Sequence, residues 1–336
     1  MKVAVCLLAG LFVTTILLTV YSAFNCTQEF SPRVSLHTNE SVFQNNKDFF
    51  SRNSTWIPER ISPLLRNTTA FLSNFVQSLF VQKKAYFVVF VIPSLATDAS
   101  QRRAIRGTWT NYTRWSNVSG VRDPRFKVMF ILGRIGDSDP SEELQQEIDE
   151  YEDTYYVGDL VEHRHILKYK VLWGMQMALS SFSFSYLVKT DCDIEVNLPR
   201  LLEDLYSQPR DRYYSGSCGM GYGGKKRGLP GWGYCSGGGY VLSTDVVQNF
   251  NRLPEKVYQV TFSPEDAFTG WLVYNLRKEL DYQVYPKNRR GLGMQRHGYE
   301  CGIRNNAWFY HRNKSPESHH ETFHKLNAGN HTTCLE

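Results

Sequence analysis

The sequence predicts an α/β domain built on a largely parallel sheet, behind an apolar anchor and a polar stem. Three observations predict it. Apolar runs rich in β-branched and aromatic residues recur at Tyr86 to Ile92, Phe126 to Leu132 and Tyr186 to Val188, as in strands buried on both faces. Stretches of helical period separate them, and such alternation argues for a parallel sheet. Ahead of them all, Val3 to Phe24 carries no charged side chain.

That first run would span about 33 Å as a helix, enough for a bilayer core of about 30 Å. Lys2 precedes it and the next basic residue is Arg33, a bias that keeps the amino terminus in the cytoplasm and sends the rest across. The competing reading is a cleaved signal peptide ending near Val20-Tyr21-Ser22. Both route the chain into the secretory pathway. The glycosylation triplets at Asn25, Asn39, Asn53, Asn67, Asn111, Asn117, Asn313 and Asn330 agree with that route. The expected division is therefore a tail and anchor at 1–24, a stem at 25–83 and a catalytic-sized domain at 84–336. The stem is rich in Asn, Ser and Thr, and reads as mostly extended, with one helix near Phe71-Leu72 and Phe75-Val76.

Within the domain, Tyr86 to Ile92 is the first strand. Thr97 or Asp98 caps a helix carrying Arg102, Arg103, Ile105, Arg106 and Trp109. Phe126 to Leu132 is a strand closed by Gly133, and Asp139-Pro140 opens an acidic helix with Pro at its first position. A short strand covers Tyr155 to Val161. Ile166 to Leu179 is a helix with Leu167, Val171, Leu172, Met175 and Leu179 on one face. Tyr186 to Val188 then runs directly into Lys189-Thr190-Asp191-Cys192-Asp193.

Composition narrows the function classes. With 42% hydrophobic and 21% charged residues over 336 positions, the chain is neither disordered nor fibrous. Its net charge of +5 comes without a concentrated basic stripe, which excludes a nucleic-acid binder. A 14% aromatic content suits a large core. Of seven cysteines, Cys6 lies in the apolar run. The other six, Cys26, Cys192, Cys218, Cys235, Cys301 and Cys334, allow 15 full pairings among which spacing does not choose. There is no CxxC pair, so the sequence offers no structural zinc site.

Four places hold residues that carry chemistry. Asp191 and Asp193 alternate at the end of a buried strand, where ligands of parallel sheets bind. Two carboxylates on one face suit a hard divalent cation shared with substrate phosphates, or else form a surface turn. Gly216 to Gly239 holds eleven glycines without P-loop or GxGxxG spacing. It reads as a mobile loop beside a ligand, carrying Trp232 and Tyr234, or as a plain surface loop. Pro264-Glu265-Asp266 opens a helix, and the helix dipole alone accounts for acids there. His311 ends the apolar run Ala307 to Tyr310, ahead of a helix from Ser315-Pro316-Glu317, while His319, His320 and His324 read as solvated.

Taken together these segments resemble the β-1,3-galactosyltransferases of glycosyltransferase family 31. Arg102 to Trp109 resembles RxxIRxTW, and Phe130 to Gly133 resembles FLLG. Lys189 to Asp193 with Asn197-Leu198 is similar to KTDDDxxxNL, and Tyr234 to Ser243 to YxSGxGYVLS. Glu265-Asp266 matches the start of EDV, and His311 stands where the family has a His ahead of SPE. The six occur in family order across residues 86 to about 320.

The resemblance implies a GT-A fold and inverting transfer of a hexose, galactose favoured, from a UDP-sugar to the 3-hydroxyl of a glycan on glycoproteins or glycolipids. N-acetylglucosamine, N-acetylgalactosamine and a catalytically inactive sugar-binding member are the alternatives. It implies a single-pass type II Golgi membrane protein with a lumenal catalytic domain. It implies Mn²⁺ held by Asp191, Asp193 and His311, with Asp191, Arg102, Arg106 and Lys189 near the nucleotide and Asp266 as general base. Four departures stand out: Cys192 for the middle Asp, Thr110 for Gly after Trp109, Ala267 for Val, and Ile166 to Lys170 only echoing NLTxK.

Overall fold

The computed structural model describes residues 83–111, 121–136, 140–224, 229–262, 264–288, 294–296, 307–311 and 314–327. The expected anchor and, apart from Lys83, the expected stem lie outside these residues. So do Cys6, Cys26, Cys301, Cys334 and every glycosylation triplet's Asn except Asn111. Among the described residues no helix is long and apolar enough to cross a membrane.

The elements in chain order are β1 (Lys84–Ser94), α1 (Ala99–Gly107), β2 (Phe126–Arg134), α2 (Glu142–Glu150), β3 (Thr154–Val161), α3 (Leu167–Ser181), β4 (Phe182–Thr190), β5 (Ile194–Val196) and α4 (Leu198–Tyr206). They continue with β6 (Tyr214–Gly224), β7 (Leu229–Ser243), α5 (Thr244–Phe250), α6 (Glu265–Leu280), β8 (Pro286–Asn288), β9 (Met294–Arg296), β10 (Phe309–His311) and α7 (Pro316–Asn327). Seven strands form one sheet in the order β3-β2-β1-β4-β7-β6-β8, and β5-β10-β9 form a second. In the large sheet β1 runs parallel to β2 and β4, β2 to β3, and β6 to β8. Only β7 runs against its neighbours. The expected largely parallel α/β sheet is present.

Burial on both faces explains the unbroken apolar runs. Val89 and Val91 of β1, with Met129 and Ile131 of β2, face a core built with α3, α5 and α6. Val88, Phe90 and Ile92, with Val128, Phe130 and Leu132, face a second core with α1 and α4. Each such side chain contributes roughly 1.5–3 kcal/mol on burial. Helix α3 lies so close to the sheet that a Cβ on Gly174 would sit 2.6 Å from Val91 Cγ1.

The chain builds β1, β2 and β3 outward in one direction, then returns to lay β4 on the other side of β1. That reversal is a topological switch point, where α/β sheets bind ligands beyond the strand carboxyl ends. The residues after Ser94 and Thr190 therefore border one crevice.

Three expectations change. The acidic helix begins at Glu142, because Ser141 takes the cap and its Oγ accepts from Leu144 N–H. Pro140 precedes the helix. Trp109 lies beyond α1, fully buried against Phe90. The described residues of the glycine-rich stretch are strand, not loop: β6 and β7 pair as antiparallel neighbours and are linked by the Cys218–Cys235 disulfide. Trp232 is buried among Tyr222, Phe262 and Trp271. The physical reason is close packing, since a Cβ on Gly239 would lie 2.4 Å from the Phe309 ring where β10 crosses β7.

Candidate active site

Four elements converge on the switch point: the end of β4, the middle of β7, the first turn of α6 and the short strand β10. Lys189 is the penultimate residue of β4 and is buried. Its ammonium donates to Asp191 Oδ1 at 2.7 Å and to the Gly237 carbonyl at 2.6 Å, and lies 3.0 Å from Glu265 Oε2. Burial works against the charge, but Asp191 and Glu265 outweigh it and hold the ammonium above the ordinary lysine range. Glu265 Oε1 also accepts from the Tyr240 hydroxyl at 2.6 Å and from Thr269, so the two oxygens of the buried acid face different partners, the hydroxyls at Oε1 and the ammonium at Oε2.

Asp266 is the next residue. Its Oδ2 accepts from Gly237 N–H at 3.0 Å and its Oδ1 from Ala267 N–H at 2.8 Å. One residue, Gly237, thus bridges Asp266 and Lys189. A Cβ on Gly237 would lie 3.4 Å from Asp266 Oδ2 and 3.5 Å from Lys189 Nζ. An acid in the first helical turn is favoured by the helix dipole, so the fold holds this carboxylate at no local cost.

Asp191, Cys192 and Asp193 form the turn from β4 to β5. The side chain of Asp191 is 35% exposed. Cys192 points inward, its Sγ donating to the Pro93 carbonyl at the end of β1. Asp193 Oδ2 lies 3.3 Å from His311 Nε2, because β5 and β10 pair with His311 opposite Ile194. Burial pushes the Asp193 carboxyl up, but His311 outweighs it and holds the group below the usual range. His311 Nδ1 is buried with no partner among the described residues.

The chemistry of this set suits a hard cation in part. Among the described residues no three His, Cys, Asp or Glu side chains converge closely enough to hold a metal alone. Asp193 and His311 make two donors, with Asp191 alongside but engaged by Lys189. Ions such as Mg²⁺ are typically held by one or two carboxylates, the remainder being substrate phosphates and water. The residues fit that mode and not a closed protein cage.

The two arginines sit elsewhere. Arg102 is buried, bidentate to Glu147 at 2.7 and 2.6 Å, and donates to Ser94 Oγ and to the Leu95 and Ala96 carbonyls. It holds the turn that leaves β1. Arg106, one helical turn on, pairs with Glu147 and Asp153. With Lys84, Tyr86 and Phe126 it lines a cavity of about 570 Å³ at the strands' beginnings, away from Asp193.

Sequence reasoning missed three contributors. Gly237 was one glycine among many, and no local signal marks it. Glu147 lies on an acidic helix whose exposed face resembles any other. His319 was expected in solvent but is fully buried, its Nε2 2.8 Å from the Cys192 carbonyl and its Nδ1 2.9 Å from Glu195 Oε2. A signal for it existed: His319, Thr322 and Phe323 follow helical spacing, and all three are buried.

Residues 100–223 match the family model described as galactosyltransferase. The chain carries a galactosyltransferase-family domain. The matched segment holds Arg102, Arg106, Lys189, Asp191 and Asp193. Asp266 and His311 lie past its end and are joined to it through Gly237 and the β5–β10 pair. β-1,3-Galactosyltransferase 1 of Mus musculus and of Homo sapiens are each 26% identical over 301 residues, covering 84% of this chain and 86% of the relative. β-1,3-Galactosyltransferase 2 of Mus musculus is 28% identical over 222 residues, 58% of this chain and 49% of the relative. A solved galactosyltransferase, LgtC in complex with donor and acceptor sugar analogues, aligns with 74% of this chain and 98% of its own at 11% identity and a TM-score of 0.40. That score is too low to argue from, and the fold rests on the strand order above. By family the chain is a glycosyltransferase.

Proposed function

We propose that this glycosyltransferase has a GT-A fold and moves galactose from UDP-galactose, with inversion, to the 3-hydroxyl of a glycan on a glycoprotein or glycolipid. We place it in the Golgi lumen, tethered by Val3 to Phe24 as a single-pass type II anchor. The observation that carries the reading is the backbone of Gly237, whose N–H engages Asp266 and whose carbonyl engages Lys189. It sets a carboxylate able to take a proton beside the charged end of β4.

In this reading Asp266 takes the proton of the acceptor 3-hydroxyl as that oxygen attacks the anomeric carbon. The bond to UDP breaks in the same displacement, and UDP leaves with the electron pair. A single displacement inverts the anomeric centre and needs no protein nucleophile. Lys189 orients Asp191 and keeps positive charge near the departing diphosphate. Asp193 and His311, with Asp191, would hold Mn²⁺ against that diphosphate, and the ion when bound neutralises charge on the leaving group. Arg102 braces the turn after β1 from within the core, and Arg106 anchors α1 to Glu147 and Asp153 rather than reaching the donor. The inward Cys192 leaves two acids on the turn, which agrees with a donor set completed by phosphate oxygens.

The test is UDP release by the full-length chain in detergent, with Mn²⁺ and with EDTA. UDP-galactose, UDP-N-acetylglucosamine and UDP-N-acetylgalactosamine are offered in parallel, with a panel of glycan acceptors. Manganese-dependent release from UDP-galactose, raised by an acceptor, is the expected result. Preference for either N-acetylated donor would overturn the choice of sugar. Absence of both turnover and UDP binding would sink the transferase reading of this site.

A further inference from the structure

Behind the Asp191–Asp193 turn lies a buried pair that the reading above does not use. His319 of α7 and Glu195 of β5 are both fully buried, 2.9 Å apart. The Cys192 carbonyl can only accept, so His319 Nε2–H donates to it at 2.8 Å and leaves Nδ1 as an acceptor facing Glu195 Oε2. Glu195 also receives the Thr108 hydroxyl at 3.4 Å, tying the pair to the end of α1.

The placement is specific. Cys192 is the middle residue of the turn, and it is held at two points. Its Sγ binds Pro93 at the end of β1, and its carbonyl binds α7. With the middle residue held at both points, the backbone that carries Asp191 and Asp193 is held between them. A buried polar pair left half-satisfied costs free energy. Glu195 Oε1 has no partner among the described residues, yet the pair persists inside an apolar core. A satisfied core needs no imidazole aimed at a loop carbonyl.

We propose that His319, backed by Glu195, is a positioning residue that clamps the Cys192 carbonyl and thereby sets the separation of Asp191 and Asp193. The proposal rests on the reading of that turn as the cation and diphosphate site. Residues that orient the ligands of a metal typically change its affinity by about 10–100-fold when removed.

Two readouts on the full-length chain test it. One is Mn²⁺ affinity by calorimetry in the presence of UDP. The other is the alkylation rate of Cys192 by iodoacetamide, followed by mass spectrometry of its peptide, which needs no metal. His319→Phe removes the donor and keeps a ring. It is expected to weaken Mn²⁺ by about 10–100-fold and to speed alkylation of Cys192. His319→Gln, which retains a side-chain N–H, is expected to fall between it and the parent on both readouts. Should the Phe variant fail to fold, the Gln variant carries the same comparison. Variants that match the parent in both affinity and alkylation overturn the proposal. If the parent binds no Mn²⁺, the cation reading falls by itself. Alkylation then decides the clamp, faster in the variants if His319 holds the turn and unchanged if it does not.

Discussion

The Lys189 ammonium lies 3.0 Å from the Glu265 carboxylate, and both side chains are buried. Lys189 is next to last in β4 and Glu265 opens α6, so this pair joins the two halves of the site across the antiparallel strand β7. Without it the first turn of α6, and Asp266 with it, would have no charged link to the Asp191 turn.

Replacing Lys189 by Met should therefore cost much more than a surface ion pair. It leaves Glu265 buried with no cation, a situation that typically costs roughly 3–5 kcal/mol. Urea denaturation of the full-length chain is the measurement. A loss under about 1 kcal/mol, the scale of an exposed pair, would mean that Tyr240 and Thr269 suffice to hold Glu265.

Asp266→Asn keeps the shape and one of the two backbone hydrogen bonds, since an amide nitrogen cannot accept, and it removes the proton acceptor. Turnover should fall by about 10²–10⁴-fold, while UDP affinity by calorimetry stays near that of the parent. Equal turnover in parent and variant would rule Asp266 out as the base.

Gly239→Ala should destabilise by roughly 1–3 kcal/mol, the usual cost of forcing atoms into a packed core. The added Cβ would lie 2.4 Å from the Phe309 ring. Gly221→Ala, where a Cβ meets nothing within 4 Å, is the matched comparison and should be near neutral. Thermal midpoints of the two variants should separate clearly.

Lys168 should give stability a measurable pH dependence. Its ammonium rests on the Val260 and Phe262 carbonyls in the segment leading to α6, and burial pushes it down to about 8. The unfolded lysine titrates near 10.5. Between those values the unfolded chain holds a proton that the folded chain has released, so stability rises with pH through this window. Below pH 8 both states are protonated and the contribution is flat. The full rise is roughly 3 kcal/mol. Lys168→Met should flatten the slope between pH 8 and 10.5 in denaturation curves, and an unchanged slope would assign it to another group.

Much of the architecture was legible in the amino-acid order. The runs around Val89, Phe130 and Leu187 read as buried strands because both of their faces are covered, and the helices between them implied parallel crossovers. Asp191 and Asp193 were legible as a site because they follow such a strand directly. Asp266 was visible only as an acid in a first helical turn, which the helix dipole explains equally well. Its meeting with Lys189 through Gly237 had no local trace.

What the sequence determined by itself is what short-range periodicity and covalent neighbourhood encode: the strands, the helices, and the two acids flanking Cys192. Only the tertiary structure decided which side chains act together. Glycine spacing alone does not distinguish a loop from a strand packed against β10, so Gly216 to Gly239 needed its partners to be read. His319 carries a polar ring that looks solvated until α7 packs on β5 and buries it against Glu195. Arg102 and Arg106 share a helical face, but their engagement depends on Glu147, Asp153 and the carbonyls after β1. Hydrogen bonds between distant segments depend on backbone positions to within a few tenths of an ångström, and those positions are set by packing of the whole sheet.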